Sequence, residues 1–358
     1  MKRLAPLIAM ALAASISEAR QFDLPPADGG QVVEELVIES TTDLAVFRPM
    51  VEAFQLRNPG LAVTYHELTS NEIAARQEEA CMSGEFLADV VISSAVDQQL
   101  KLVNDGCAKP LLLAEAERLP DWARWRNELF GFTFEPAVMV YNRAWFREQG
   151  APQSRFELID LLRSSTYYTG RIGTYDIASS GLGYFFAFQD ALQAGTWGRV
   201  VESLGRNNAK LYCCTFEILE RVADGRLLIG YNVLGSYALD YIEEDDRIGI
   251  VLPRDYTLVM ARAAFVPRQA RSPLAASRFI DFMLSSQGRD ILSNDMRLLS
   301  PIDGAERLER LTGQKADDLE TFRPISMTPA LLVGLDEAKR EIFMRQWRAA
   351  LPGPTSRR

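Results

Sequence analysis

A chain of 358 residues, 47% apolar and 24% charged, has the composition of an ordinary globular protein and exceeds the size at which a single core keeps growing, so two domains are expected and a disordered or fibrous chain is excluded. Its formal charge of −9 argues against binding nucleic acid or anionic lipid through the overall field, although a local pocket of amide groups and arginines can still hold a small anion. Four cysteines and one histidine are too few for a disulfide scaffold, and without a CxxC pair a metal site is the weaker reading of the cysteines.

The chain opens with Met1-Lys2-Arg3, an apolar run from Leu4 to Ile16 and small residues at Ser17 and Ala19, which together read as a cleavable secretory signal over residues 1–19. The apolar run is shorter than the roughly 20 residues that span a hydrocarbon core, so a membrane anchor is disfavoured. Cleavage removes Lys2, Arg3 and Glu18, and the charge of the mature chain becomes −9 − 2 + 1 = −10. Residues 20–33, rich in Pro, Gly and Asp, read as a flexible leader into the fold.

Alternating strands and helices follow. Leu36-Val37-Ile38 predicts a strand, and Leu44, Phe47, Met50, Val51 and Phe54 recur at helical spacing over Asp43 to Asn58. Leu61 to Tyr65 is the next strand, Asn71 to Ser83 the next helix and Ala88 to Ile92 a third strand. The β-prone stretch Phe130 to Asn142, broken by Pro136, suits a strand that leaves one lobe for another. Alternation resumes with strands at Arg171 to Thr174, Ala209 to Cys213 and Leu227 to Tyr231, and helices at Gly181 to Ala194 and Phe216 to Ala223. Ile248 to Leu252 and Tyr256 to Val266 read as a return through the waist, followed by helices at Ser277 to Ser285 and Gln287 to Ser293 and a C-terminal cap at Thr328 to Leu351.

This pattern predicts two α/β lobes, each a mixed, mainly parallel sheet flanked by helices. Residues 34–134 with 262–358 form lobe 1, and 135–261 form lobe 2, with hinge strands near 131–141 and 248–264. Ligands of open α/β sheets sit beyond the carboxyl ends of strands, which places a site in the cleft between the lobes. Cys81 and Cys107 can pair if both lie on one lobe. Adjacent Cys213 and Cys214 are expected to end a buried strand rather than bridge each other.

Several segments in order, Leu36 to Thr42, Phe54 to Pro59, Ala88 to Ser94 (ADVVISS), Phe132 to Asn142 (FTFEPAVMVYN), Ser179 to Tyr184 (SSGLGY), Tyr231 to Ala238 (YNVLGSYA) and Tyr256 to Pro267, resemble the type II extracellular solute-binding proteins of ABC importers. The resemblance spans residues 34–302 and points to the branch that includes ferric-ion binders, hexose-phosphate binders and the phosphoglycerate-transport regulatory protein. It implies a periplasmic-binding-protein fold (type II), lobe closure on a ligand, and delivery to a permease or, alternatively, to a membrane sensor kinase. Ferric binders of the branch carry adjacent tyrosines in the segment corresponding to Tyr231 to Tyr241. Leu234-Gly235-Ser236-Tyr237 leaves at most one of them here, and Tyr167-Tyr168 is read as surface or packing aromatics.

Candidate ligand contacts cluster at strand-to-helix joins. Thr41 and Thr42 follow the first strand and Ser93 and Ser94 the third, so hydroxyls and free amide groups can face the cleft; the alternative is a plain N-cap. Opposite them, Ser179, Ser180 and Gly181 precede a helix and let the backbone approach a phosphate or carboxylate, or else form a capped loop. Asn232, Ser236 and Tyr237 form a second donor set, or a structural turn. Arg262, in an apolar run, either is buried and needs an anionic partner, Glu135, Asp176 or the ligand, or is turned outward to solvent by strand alternation. Glu135 suits the hydroxyl end of a ligand or a hinge salt bridge, and His66 is a ligand contact at a strand's end or a surface residue.

No nucleophile elbow, HExxH or phosphate-binding loop is present, so catalysis finds no motif and no cofactor is implied. The expected protein is a monomeric periplasmic carrier of a small anionic metabolite, an organophosphate such as a sugar phosphate or phosphoglycerate, or a carboxylate, with ferric-ion binding as the alternative.

Overall fold

The computed structural model describes residues 20–193, 195–312 and 321–351. The expected signal segment, residues 1–19, lies outside the described residues. Among those described, no helix is long and apolar enough to cross a membrane.

In the first half of the chain, β1 (Arg20–Leu24), β2 (Glu34–Ser40), α1 (Leu44–Arg57), β3 (Leu61–Glu67), α2 (Ser70–Ser83), β4 (Val90–Ser93) and α3 (Val96–Asn104) are followed by β5 (Arg124–Trp125) and β6 (Leu129–Gly131). The chain then builds a second unit from β7 (Glu135–Asn142), α4 (Arg155–Ser164), β8 (Ile172–Tyr175), α5 (Gly181–Gln193), α6 (Trp197–Arg206), β9 (Lys210–Tyr212), α7 (Thr215–Ala223), β10 (Ile229–Leu234), α8 (Gly235–Glu244), β11 (Ile248–Val251) and β12 (Thr257–Met260). It returns through β13 (Ala263–Phe265), α9 (Pro273–Leu284), α10 (Ser286–Asn294) and α11 (Gly304–Thr312), and finishes with β14 (Phe322–Pro324) and α12 (Glu337–Ala350).

Two seven-stranded sheets result, in the orders β1-β3-β2-β4-β13-β6-β5 and β14-β12-β7-β10-β8-β9, with β11 pairing β7. The mixed character is as expected, but parallel ladders are restricted to β3-β2-β4, β10-β8-β9 and β12-β14, while the remaining pairings are antiparallel. The reason is the crossing. The chain passes from the first sheet to the second between Gly131 and Glu135 and back between Met260 and Ala263, so each crossing strand lies against a neighbour running the other way.

Two sequence expectations change. Residues 20–33 are not a uniform loose leader, because Arg20 to Leu24 pairs antiparallel with β3 and so supplies the hydrogen bonds its edge would otherwise lack. The C-terminal cap, expected with lobe 1, has β14 on the edge strand β12 of the second sheet and α12 against α6, where Trp197 stacks on Phe343 and Trp347. Burial of these rings outweighs the sequence proximity of α12 to the first lobe.

The first lobe packs α1 and α9 on its sheet through Phe47, Phe54 and Phe279, with Phe54 and Phe279 edge to face at 5.1 Å. The second lobe encloses a charged cluster. Arg155, 1% exposed, pairs with Asp190 at 3.1 Å and donates to the Tyr256 carbonyl, while the Tyr231 and Tyr256 hydroxyls donate to Asp190. Each buried charge is thus compensated, as burial requires.

Cys81 and Cys107, on α2 and just past α3, are joined by a disulfide with Cα atoms 5.4 Å apart. Cys213 and Cys214 depart from expectation. They are exposed, lie beyond the end of β9 rather than in a buried strand, and are bonded to each other.

Candidate functional site

A cavity of about 440 Å³ lies between the two sheets where strand-to-helix joins of both lobes converge. The first lobe contributes Ser40 to Asp43 between β2 and α1, Glu67 to Ser70 between β3 and α2, and Ser94 before α3. From the second lobe come Ser179 and Ser180 before α5, Cys213 to Phe216 at the start of α7, and Leu234 and Tyr237 at the start of α8. Each join arises where an alternating apolar strand ends and small polar residues release the chain into a helix, leaving first-turn amide groups near the cavity.

The cavity is polarised. Asp43, Glu67 and Glu72 all stand on the first-lobe wall. Glu67 accepts a hydrogen bond from the Leu44 amide at the start of α1, so a carboxylate of the protein already occupies that helix end. At α2, Thr69 and Glu72 form a reciprocal capping box. The second-lobe wall has no carboxylate lining the cavity, and α7 and α8 begin at Cys214 and Leu234 without a side-chain cap. Arg20, exposed at the mouth, lies 3.9 Å from Glu67.

Arg262 forms the floor. It is 1% exposed, lies 3.1 Å from Glu135, and reaches the Thr42 hydroxyl; its amide donates to Thr133 at 2.7 Å. Burial alone lowers the guanidinium, and the Glu135 carboxylate and the Tyr237 phenol together outweigh this, holding it above its ordinary value and charged. Tyr237 crosses the cleft to Asp43 at 3.3 Å, and burial pushes its phenol up to about 12, so it is a neutral donor. Tyr175 bonds both the Thr215 hydroxyl, at 2.6 Å, and the Leu234 amide, at 3.2 Å, tying the α7 and α8 joins together; burial also raises it to about 12. The Asn71 side chain donates across the cleft to the Ser179 carbonyl at 3.1 Å.

Of the residues singled out from sequence, Thr41, Thr42, Ser94, Ser179, Ser180 and Tyr237 line the cavity, and so does Arg262. The Thr41 hydroxyl accepts from the Ser94 amide at 3.2 Å, and the Ser180 hydroxyl accepts from the Gly183 amide at 3.1 Å, so capping and exposure to the cavity coexist. Five residues lie behind or beside the wall. Ser93 is buried and accepts from the Ala95 amide. Glu135 and Ser236 bond each other beneath the floor, so Glu135 serves as the hinge salt bridge. Asn232 is buried at a bulge of β10 with φ of 60°. Gly181 faces Ser70, Asn71 and Gln98 of the other lobe.

His66 requires correction. Instead of following its strand it lies within β3, opposite Gln21 and Glu39, because β3 runs on to Glu67 in ladders with both β1 and β2. Half-buried outside the cavity, its imidazole is lowered by desolvation, an effect opposed by Glu39. Tyr167 stacks on Trp145 at 4.2 Å and Tyr168 is buried, so both are packing aromatics.

Sequence reasoning missed Arg20, hidden in the supposed leader, and Glu67, whose position depends on the extension of β3. It also missed the joint Cys213 to Phe216, although a strand-to-helix boundary at Cys213 to Phe216 was legible and supplied that signal. Among the described residues, no group of three or more His, Cys, Asp or Glu side chains is placed to hold a metal ion.

Residues 49–320 match the model of the bacterial extracellular solute-binding protein family. Among solved structures, the substrate-binding protein of an ABC transporter from Agrobacterium tumefaciens is 37% identical, covers 93% of this chain and 98% of its own, and superposes with a TM-score of 0.85. The fold is shared with the fructose-6-phosphate-bound protein AfuA from Actinobacillus pleuropneumoniae, at 16% identity, TM-score 0.71 and coverage of 89% and 99%. It is also shared with iron-bound HitA from Pseudomonas aeruginosa, at 19% identity, TM-score 0.65 and coverage of 88% and 99%. No curated protein matches the sequence. By the extent of the family match and the identity to the Agrobacterium protein, the chain belongs to the bacterial extracellular solute-binding proteins.

Proposed function

We propose that this protein captures a small anionic metabolite bearing hydroxyl groups, a phosphate ester or a carboxylate, by closing its lobes, and presents it to the permease of an ABC importer. The leader at residues 1–19 exports it, and it works as a monomer beyond the cytoplasmic membrane. The observation that carries the ligand class is the division of the cavity: carboxylates line one wall only, and the opposite wall offers Ser179, Ser180 and the uncapped starts of α7 and α8. An anionic group is favoured on that second wall by hydroxyl and amide donors and by the positive ends of the helices. Hydroxyls at the other end of the ligand donate to Asp43 and Glu72. Thr41, Thr42, Ser94, Tyr237 and Arg262 complete the contacts, Arg262 through its bonded position on the floor.

The test is calorimetric titration and thermal shift of the mature protein with fructose 6-phosphate, 3-phosphoglycerate, glycerol 3-phosphate, citrate, ferric citrate and uncharged sugars. A phosphate ester or carboxylate that raises the melting temperature by mass action supports the reading. Stabilisation by ferric ion or an uncharged sugar alone overturns it.

A further inference from the structure

We infer that the disulfide between Cys213 and Cys214 is a specificity element of the cleft, an apolar face that packs against the carbon skeleton of the ligand and so selects an organic anion over a bare oxyanion. The inference rests on the proposed ligand class and deepens it.

Cys213 and Cys214 make up the whole connection between β9 and α7, they are bonded to each other, and both line the cavity. The comparable joins around the cavity present Ser40 to Asp43, Thr69 and Ser70, Ser94, and Ser179 and Ser180, all capable of hydrogen bonding. Only here are two consecutive positions sulfur. A disulfide sulfur donates no hydrogen bond and accepts weakly, so it offers an anionic group nothing, whereas its polarisable surface suits contact with carbon. Cys214 accordingly makes no side-chain cap to α7.

The surroundings extend the same face. Phe216, 54% exposed, follows on α7, and Leu182 and Leu234 line the cavity from α5 and from the end of β10. The cavity, about 440 Å³, falls within the roughly 300–1,000 Å³ typical of small-molecule sites. An oxyanion alone leaves most of this volume unfilled. The bond between neighbouring residues also restricts the joint before Thr215, whose hydroxyl is held by Tyr175, so the face is set before the ligand arrives.

The experiment compares the full mature chain with Cys213→Ala/Cys214→Ala by calorimetry, using fructose 6-phosphate, 3-phosphoglycerate and, by competition, inorganic phosphate. The expected result is a loss of about tenfold or more in affinity for the esters, the size of effect that a pocket's apolar contacts supply, with inorganic phosphate changed by less than about twofold. Phe216→Ala, which alters the same face from an exposed position and keeps the disulfide, is expected to shift the ester-to-phosphate ratio in the same direction and covers the case in which the double variant does not fold. Unchanged ester affinity in both variants overturns the inference. Equal losses for esters and phosphate overturn it as well, since they mean the joint acts on the anion's donors. Wild-type protein that binds no phosphate ester or carboxylate of the panel above overturns the proposed ligand class first and this assignment with it, an outcome visible before any variant is made; where citrate alone binds, it takes the place of the esters in the comparison.

Discussion

Arg262 Nε and Glu135 Oε1 lie 3.1 Å apart at the point where the chain crosses between the two sheets, with both side chains withdrawn from solvent. Glu135 opens β7 on the outward crossing and Arg262 stands between β12 and β13 on the return, so one ion pair clasps both hinge segments. Thr42 of the first lobe and Ser236 of the second bond the same pair. Glu135→Ala leaves the guanidinium buried without its counter-charge and is expected to destabilise the protein by about 3–5 kcal/mol. The double replacement Glu135→Leu/Arg262→Met removes both charges and is expected to recover much of that loss. Urea denaturation of the three proteins checks this, and a double variant as unstable as the single one contradicts it.

Ser180 faces the cavity while accepting from the Gly183 amide. Ser180→Asp keeps an oxygen cap on α5 but places a carboxylate on the cavity lining of the second lobe, where the nearest one, Asp176, lies behind and accepts from the Ser179 hydroxyl at 3.2 Å. The expected result is a loss of about a hundredfold or more in affinity for the anionic ligand, corresponding to about 2.7 kcal/mol, at an unchanged melting temperature of the free protein. Affinity within a few-fold of wild type locates the anionic group elsewhere.

Gly181 sits where the lobes touch. A Cβ built there meets Ser70 Oγ at 2.5 Å, Asn71 Oδ1 at 2.8 Å and Gln98 Nε2 at 3.0 Å, all from the opposite lobe. Gly181→Leu is therefore expected to disfavour the closed arrangement and weaken ligand binding by conformational selection, without loss of either core. Small-angle scattering should show a larger radius of gyration for the ligand-bound variant than for ligand-bound wild type, and identical radii refute the prediction.

Asp97, near the start of α3, is 3% exposed and its Oδ1 has no hydrogen-bond partner among the described residues. Burial pushes its carboxyl up to about 7; amide groups of α3 and the Arg340 charge oppose the shift. The folded protein therefore holds a proton that the unfolded chain releases between 3.8 and about 7, so this group's effect is most favourable at low pH and stability falls as pH rises through that window. Asp97→Asn removes the dependence. Its melting temperature should exceed that of wild type by about 2–4 °C at about pH 8, with the gap shrinking towards about pH 4. A constant gap across the range contradicts the assignment.

The alternation of strands and helices was legible from apolar periodicity, as Leu44, Phe47, Met50, Val51 and Phe54 show: each is buried along α1. Joins rich in small polar residues were legible for the same reason, and Thr41, Ser94, Ser179 and Ser180 do line the cavity. Helices α3, α4 and α6 were not marked out, although α6 is amphipathic, with Val200, Val201 and Leu204 buried on one face. His66 and Ser93 show the limit. A residue at a strand's end lies inside or outside a cavity according to how far neighbouring strands extend the ladder, and both β1 and β2 pair with β3 past His66.

By itself the sequence determined what depends on neighbours along the chain: the periodic faces of the helices and the boundaries where small polar residues release a strand into a helix. Tertiary structure alone decided which of those boundaries face one another, that Glu67 fills the start of α1 while α7 stays open, and that Arg262 meets Glu135 across 127 residues. Such pairings follow from how two sheets twist and cross, and a contact between distant segments leaves no periodicity in either of them.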